Sequence, residues 1–106
     1  QPATARRKDV SAMVEDIVGC KWSLSVLRLV RDGVNRPGAM QKAVDGLSTK
    51  VLNERLRKLQ RFGIVEKHAY PEIPPRVEYQ LTDFGARFSS LLDGVASLQG
   101  WLDAKP

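Results

Sequence analysis

Lys50, Asn53 and Arg57 stand three and four residues apart, a spacing that lines them up along one side of a helix. Their side chains offer the donors and the single amide acceptor that read the edges of nucleic-acid bases. Asn53 has the amide geometry for a bidentate bond to adenine, and Arg57 or Lys50 can reach guanine or a phosphate. Just upstream, Ser48 and Thr49 lie where the free N–H groups of a first helical turn would meet a phosphate oxygen. Residues 48–61 hold five cations, Lys50, Arg55, Arg57, Lys58 and Arg61, against the single anion Glu54. That balance of +4 compares with a formal +5 for the whole 106-residue chain. Charge so concentrated implies a polyanion as partner. On charge alone, an acidic membrane surface or a merely solvated helix would also fit.

The element that must carry these residues is a helix over 48–61. At 100° per residue, Val51, Leu52, Leu56 and Leu59 share one broad face, with Lys50, Asn53 and Arg57 opposite. Ser48 is a good N-cap and Gly63 a plausible stop. Arg55 falls near the apolar face, so an ion pair or a carbonyl contact suits it better than a base.

Around this helix the chain divides by periodicity. Residues 1–9 read as a flexible basic arm and 10–106 as one domain. Val10, Met13, Val14, Ile17 and Val18 mark an amphipathic helix over 10–18, and residues 22–31 form a second helical segment closed by Asp32-Gly33. Pro37-Gly38 belongs to a connector, or Pro37 to the first turn of a short helix at 39–44. Residues 64–70 and 76–81 are short, and Val77, Tyr79 and Leu81 alternate with Glu78 and Gln80, which predicts a β-hairpin over 64–81. Its proline-rich link, 71–75, should project as a loop. Thr82 caps a last helix over 83–103. The expected class is mainly α with a small β-hairpin (α+β), in the winged helix-turn-helix plan.

The wing offers Arg76 and Lys67 as further DNA contacts, on the backbone or in the minor groove. Arg76 has an alternative in pairing with Glu72 or Glu78. His68, on the same strand as Lys67, reads as a strand-surface residue.

Phe84, Phe88, Leu91, Val95, Leu98 and Leu102 are spaced 4, 3, 4, 3 and 4 residues apart, an a/d ladder of a helix that pairs with another. Residues 83–106 carry Arg87 and Lys105 against Asp83, Asp93 and Asp103, a balance unsuited to DNA. Val10, Met13, Val14 and Ile17 with Phe88, Leu91, Val95, Leu98 and Leu102 are therefore the expected homodimer seam. Part of the stripe must cover the chain's own core, and folding back wholly within one chain is the alternative. A two-fold dimer places two reading helices about one DNA turn apart and implies a roughly palindromic site in double-stranded DNA.

Composition narrows the classes further. One cysteine, Cys20, excludes an intramolecular disulfide framework and a cysteine-based zinc site, and one histidine gives no metal or acid–base cluster. No apolar run approaches the ~20 residues of a membrane span, and no signal-peptide pattern follows the basic start. The missing initiator Met reads as trimming, which leaves a lost targeting segment open; the default expectation is a soluble cytoplasmic protein. We place no nucleophile–histidine pair, phosphate-cradling glycine loop or carboxylate pair, so no enzyme and no cofactor are expected. A basic-faced protein–protein module is the competing reading. RNA binding is disfavoured by a basic face without aromatic side chains.

Three stretches together resemble HxlR-type bacterial transcriptional regulators: Gly19-Cys20-Lys21-Trp22, residues 50–59, and Tyr70-Pro71-Glu72-Ile73-Pro74-Pro75-Arg76-Val77-Glu78-Tyr79-Gln80-Leu81-Thr82. The similarity runs from about Asp9 to Trp101. It implies a dimeric winged helix-turn-helix protein on operator DNA, with the recognition role on residues 48–61 and the wing role on 70–79. Oxidant-sensing members typically carry a cysteine, followed by proline, near the start of the first helix; Asp9 and Val10 hold that place here. Cys20, beside Lys21 and a helix N-terminus, is a candidate redox thiol, with an inert half-buried residue as the alternative.

Overall fold

The computed structural model describes residues 9–105. The basic arm expected over 1–9 lies outside them, apart from Asp9. Five helices and one hairpin follow in order: α1 (Val10–Gly19), α2 (Ser23–Arg31), α3 (Pro37–Ala43), α4 (Thr49–Arg61), β1 (Val65–Tyr70), β2 (Arg76–Leu81) and α5 (Asp83–Asp103). This is the winged helix-turn-helix plan, with a reading helix preceded by a short helix and followed by a two-stranded wing.

Local chemistry sets the boundaries. Asp9 caps α1 by accepting from the Ala12 N–H, Ser48 caps α4 by accepting from Val51, and Thr82 caps α5 by accepting from Gly85. Pro37 occupies the first turn of α3, where its missing N–H costs nothing. Trp22 does not open α2 as its apolar character predicts. It takes a left-handed conformation at φ 75°, so α2 begins one residue later. A bulky residue rarely adopts that backbone. Its ring, half-buried, packs against the core and over Gly46. Gly63, at φ 75°, lets α4 turn directly into the sheet, with its N–H on the Gln60 carbonyl.

β1 and β2 pair antiparallel from Val65 opposite Leu81 to Tyr70 opposite Arg76. The Tyr79 N–H bonds the Asn35 carbonyl at 2.8 Å, which ties the wing to the link between α2 and α3. Every element gives side chains to the core: Met13 and Ile17 from α1, Val26 and Leu27 from α2, Met40 from α3, Leu52, Leu56 and Leu59 from α4, Val65 and Tyr79 from the hairpin, and Phe88 and Leu92 from α5.

α5 divides in two. Its first half docks on the body so closely that a Cβ at Gly85 would collide with the Ile64 carbonyl oxygen. Beyond Leu92 every residue of the helix is exposed. Arg31 of α2 donates to Asp93 of α5 through both terminal guanidinium nitrogens, the Nη2–Oδ2 bond measuring 2.6 Å, at the point where the helix leaves the body.

Candidate nucleic-acid interface

α4 turns Leu52, Leu56 and Leu59 fully into the core, and this fixes its rotation. Lys50, Asn53 and Arg57 consequently face solvent, and none has a hydrogen bond or ion pair among the described residues. They form a strip about 10 Å long at 1.5 Å rise per residue. Ser48 and Thr49 are exposed at its N-terminal end. The Ser48 hydroxyl accepts from the Val51 N–H at 3.1 Å, and Thr49 Oγ1 accepts from Gln41 Nε2 of α3 at 2.9 Å. Gln41 thus braces the first turn of the reading helix. The sequence reading missed it because side-chain reach between two short helices leaves no periodic signal.

The five cations of α4 do not act alike. Arg55 Nε donates to the Lys21 carbonyl at 2.9 Å, the structural contact its position beside the apolar face predicts. Lys58 is also taken inward: its Nζ lies 2.6 Å from Asp16 of α1 and 3.3 Å from Cys20 Sγ. Its place ~20° from half-buried Val51 at 100° per residue was the signal available for this. The outward cations of α4 are thus Lys50, Arg57 and Arg61.

Cys20 is half-buried against this cluster. The neighbouring Ser23 hydroxyl and the Lys58 ammonium hold the thiol below its ordinary range, against the effect of burial. The hydrogen bond to Asp16 in turn raises Lys58, with burial opposing it.

The wing separates its two predicted contacts. Lys67 stands opposite Tyr79 and is exposed, without a hydrogen bond or ion pair among the described residues. Tyr79 itself is buried; burial raises its phenol, and Arg57 of α4 pulls the other way. Arg57 and the core-facing side of the hairpin are therefore neighbours. Arg76 is on the other face, since side chains alternate along a strand. Its guanidinium lies 3.9 Å over the Tyr70 ring, 2.8 Å from Glu72 and 2.9 Å from Glu78. The ion-pair alternative is the arrangement Arg76 adopts, and the side chain is not a free cation. Arg36, at the start of α3, adds a 3.4 Å bond to Glu78.

The expected seam residues also separate. Met13, Ile17 and Phe88 are buried in the chain's own core, and Val14 is half-buried against it. A helix that must close a small core spends the apolar side chains of its inner face there, as Met13, Ile17 and Phe88 do and Val14 does in part. Val10, Leu91, Val95, Leu98 and Leu102 remain exposed, joined by Val18 and Trp101. Val18, Leu24, Leu92 and Val95 line an apolar groove of about 400 Å³ beside the projecting half of α5. Among the described residues no group of three metal-ligating side chains occurs, and no helix is long and apolar enough to cross a membrane.

A reading helix with an unpaired polar strip, braced by a short helix and flanked by a hairpin, defines a winged helix-turn-helix protein. The family model described as "HxlR-like helix-turn-helix" matches residues 17–105, and the chain belongs to that family. It is 44% identical over 91 residues to an uncharacterised HTH-type transcriptional regulator of Synechocystis sp., covering 85% of this chain and 67% of that protein. Identity to the uncharacterised HTH-type transcriptional regulator YtfH of Escherichia coli is 34% over 86 residues, covering 81% and 66%. The chain thus spans about two thirds of the length of these relatives. Among solved structures, a putative transcriptional regulator ytfH from Salmonella typhimurium superposes with a TM-score of 0.70 at 34% identity, covering 88% of this chain and 80% of that one. The reduced form of the transcriptional regulator YodB from B. subtilis gives 0.71 at 28%, covering 87% of each.

Proposed function

We propose that this chain is a sequence-specific DNA-binding transcriptional regulator that acts in the cytoplasm as a homodimer on a roughly palindromic operator. The observation that carries it is the unpaired strip of Lys50, Asn53 and Arg57 on a helix whose rotation is locked by three buried leucines. α4 enters the major groove of duplex DNA, with Ser48 and Thr49 at the phosphate and Asn53 and Arg57 at base edges. Lys67, on the hairpin face that Arg57 adjoins, adds a backbone contact. Arg76 serves the wing chiefly as its brace. Val10, Leu91, Val95, Leu98 and Leu102 meet their counterparts in the second subunit, since water-exposed apolar stripes of this length are costly in a lone domain.

Selection from a random duplex pool tests this reading. It should enrich two half-sites about one turn apart, with affinity falling steeply as salt rises. A pool that stays random, with the protein instead bound to an acidic protein partner, would refute it. Cys20 gives the regulator a candidate thiol switch, because its sulfur bonds a residue of the reading helix. Any effect of a thiol oxidant on DNA binding should vanish in Cys20→Ser; an oxidant effect that survives would eliminate this role.

A further inference from the structure

Among the described residues eight large apolar side chains are exposed, and seven lie on α1 or α5, where the proposed second subunit accounts for them. The eighth, Ile73, is fully exposed and stands apart at the tip of the wing. An isoleucine held wholly in water forgoes about 1.5–3 kcal/mol of burial. Its immediate surroundings are built for presentation. Pro71, Pro74 and Pro75 restrict the backbone on both sides. The Glu72 N–H closes a tight turn on the Tyr70 carbonyl at 2.8 Å. Arg76 then clamps the base of the loop, lying on the Tyr70 ring and bonding Glu72 and Glu78.

The clamp also decides what the tip can recognise. Glu72 and Glu78 are matched by Arg76 and Arg36, so the tip carries no net charge with which to hold a phosphate. What it offers is a rigid apolar knob. A narrow apolar knob beside a major-groove helix fits the floor and sugar walls of the adjoining minor groove, where apolar side chains wedge against base steps. Rigidity makes the contact cheap, since no loop has to be ordered on binding.

We propose that Ile73 is a second DNA contact of the wing beside Lys67, an apolar probe of the minor groove flanking the site read by α4, with Arg76 positioning it. The inference rests on the DNA-binding reading above and assigns a residue that reads groove shape without charge. A shape contact releases no counterions, whereas a phosphate contact does.

The test measures affinity for the selected duplex against salt, for wild type, Ile73→Ala and Lys67→Ala. Ile73→Ala should bind about tenfold more weakly, which is 1.4 kcal/mol at 25 °C, with the slope of log K on log salt unchanged. Lys67→Ala, at the proposed backbone contact, should lower that slope by about one. A second arm replaces flanking adenines one at a time with 2,6-diaminopurine, which adds an amino group in the minor groove and leaves the major-groove edge intact. Wild type should lose affinity at the pairs under the wing, and Ile73→Ala should be indifferent to them. Wild-type affinity for Ile73→Ala, a reduced salt slope in it, or wild-type indifference to every diaminopurine would each overturn the proposal while leaving the reading by α4 intact. Weaker binding caused by subunit dissociation in sedimentation would overturn it too. Failure of wild type to bind any duplex would sink both readings together.

Discussion

α4 and α5 are both amphipathic, yet they spend their apolar faces in opposite ways. α4 buries Leu52, Leu56 and Leu59 completely within the chain and leaves a polar strip in water. α5 buries Phe88 and Leu92 and then carries Leu91, Val95, Leu98, Trp101 and Leu102 out into solvent. Exposed cations cost little in water and gain from any polyanion that approaches. Exposed leucines in a continuous stripe are costly, and that cost is relieved only by another apolar surface. The two helices therefore present surfaces of opposite chemistry, one suited to a polyanion and one to another apolar surface.

Charging the stripe should break this contrast most severely. Leu91→Glu with Leu98→Glu would place carboxylates inside the proposed seam, at a cost on the order of 3 kcal/mol or more. The variant should sediment as a monomer, keep its helical circular dichroism, and lose operator affinity at least about 100-fold. A dimer that persists would remove α5 from the interface. Next comes the joint between the two regions. Gly85→Ala drives a methyl into the Ile64 carbonyl, and the shift required should cost about 3 kcal/mol in chemical denaturation. A stability equal to wild type would show that α5 docks less tightly than described.

Changes on α4 should leave stability alone and act on DNA. Lys50→Ala or Arg57→Ala should each weaken operator binding by about 1–3 kcal/mol. Asn53→Ala should relax base preference more than it lowers overall affinity, and retained selectivity would count against its role as a reader.

The smallest effect concerns Lys58, a cation of α4 that faces inward. Its folded-state pKa is raised, chiefly by the Asp16 hydrogen bond. The ammonium form therefore favours folding: its contribution is fully present below the ordinary lysine range and fades as pH rises through the folded value. Tyr79, raised by burial, acts in the same direction. Lys58→Met should lower stability by about 1 kcal/mol at neutral pH and flatten part of the alkaline fall. An alkaline limb identical to wild type would assign the fall to Tyr79, which Tyr79→Phe would then remove.

The order of elements was legible because period, caps and breakers are local. Ser48, Thr82 and Gly63 sit where the chain itself calls for a start or a stop, and the 3.6-residue repeat of Leu52, Leu56 and Leu59 sets the face of α4. Arg55 was assignable to a structural role for the same reason, since its angle alone brings it against the apolar arc. Trp22 was misread as helical: its apolar side chain satisfies the pattern, whereas its backbone is left-handed and its ring packs against the core and Gly46.

The sequence by itself therefore determined the plan: a winged helix-turn-helix, a polar reading strip and an apolar terminal helix, all of which follow from spacing along one segment at a time. Only the tertiary structure decided which members of each set were free. It drew Lys58 to Asp16 and Cys20, locked Arg76 between Glu72 and Glu78, and consumed Met13, Ile17 and Phe88 in the core. In doing so it left Ile73 bare. Whether a side chain is spent or available depends on what another segment brings within a few ångströms of it, and residue spacing within one segment cannot supply that distance.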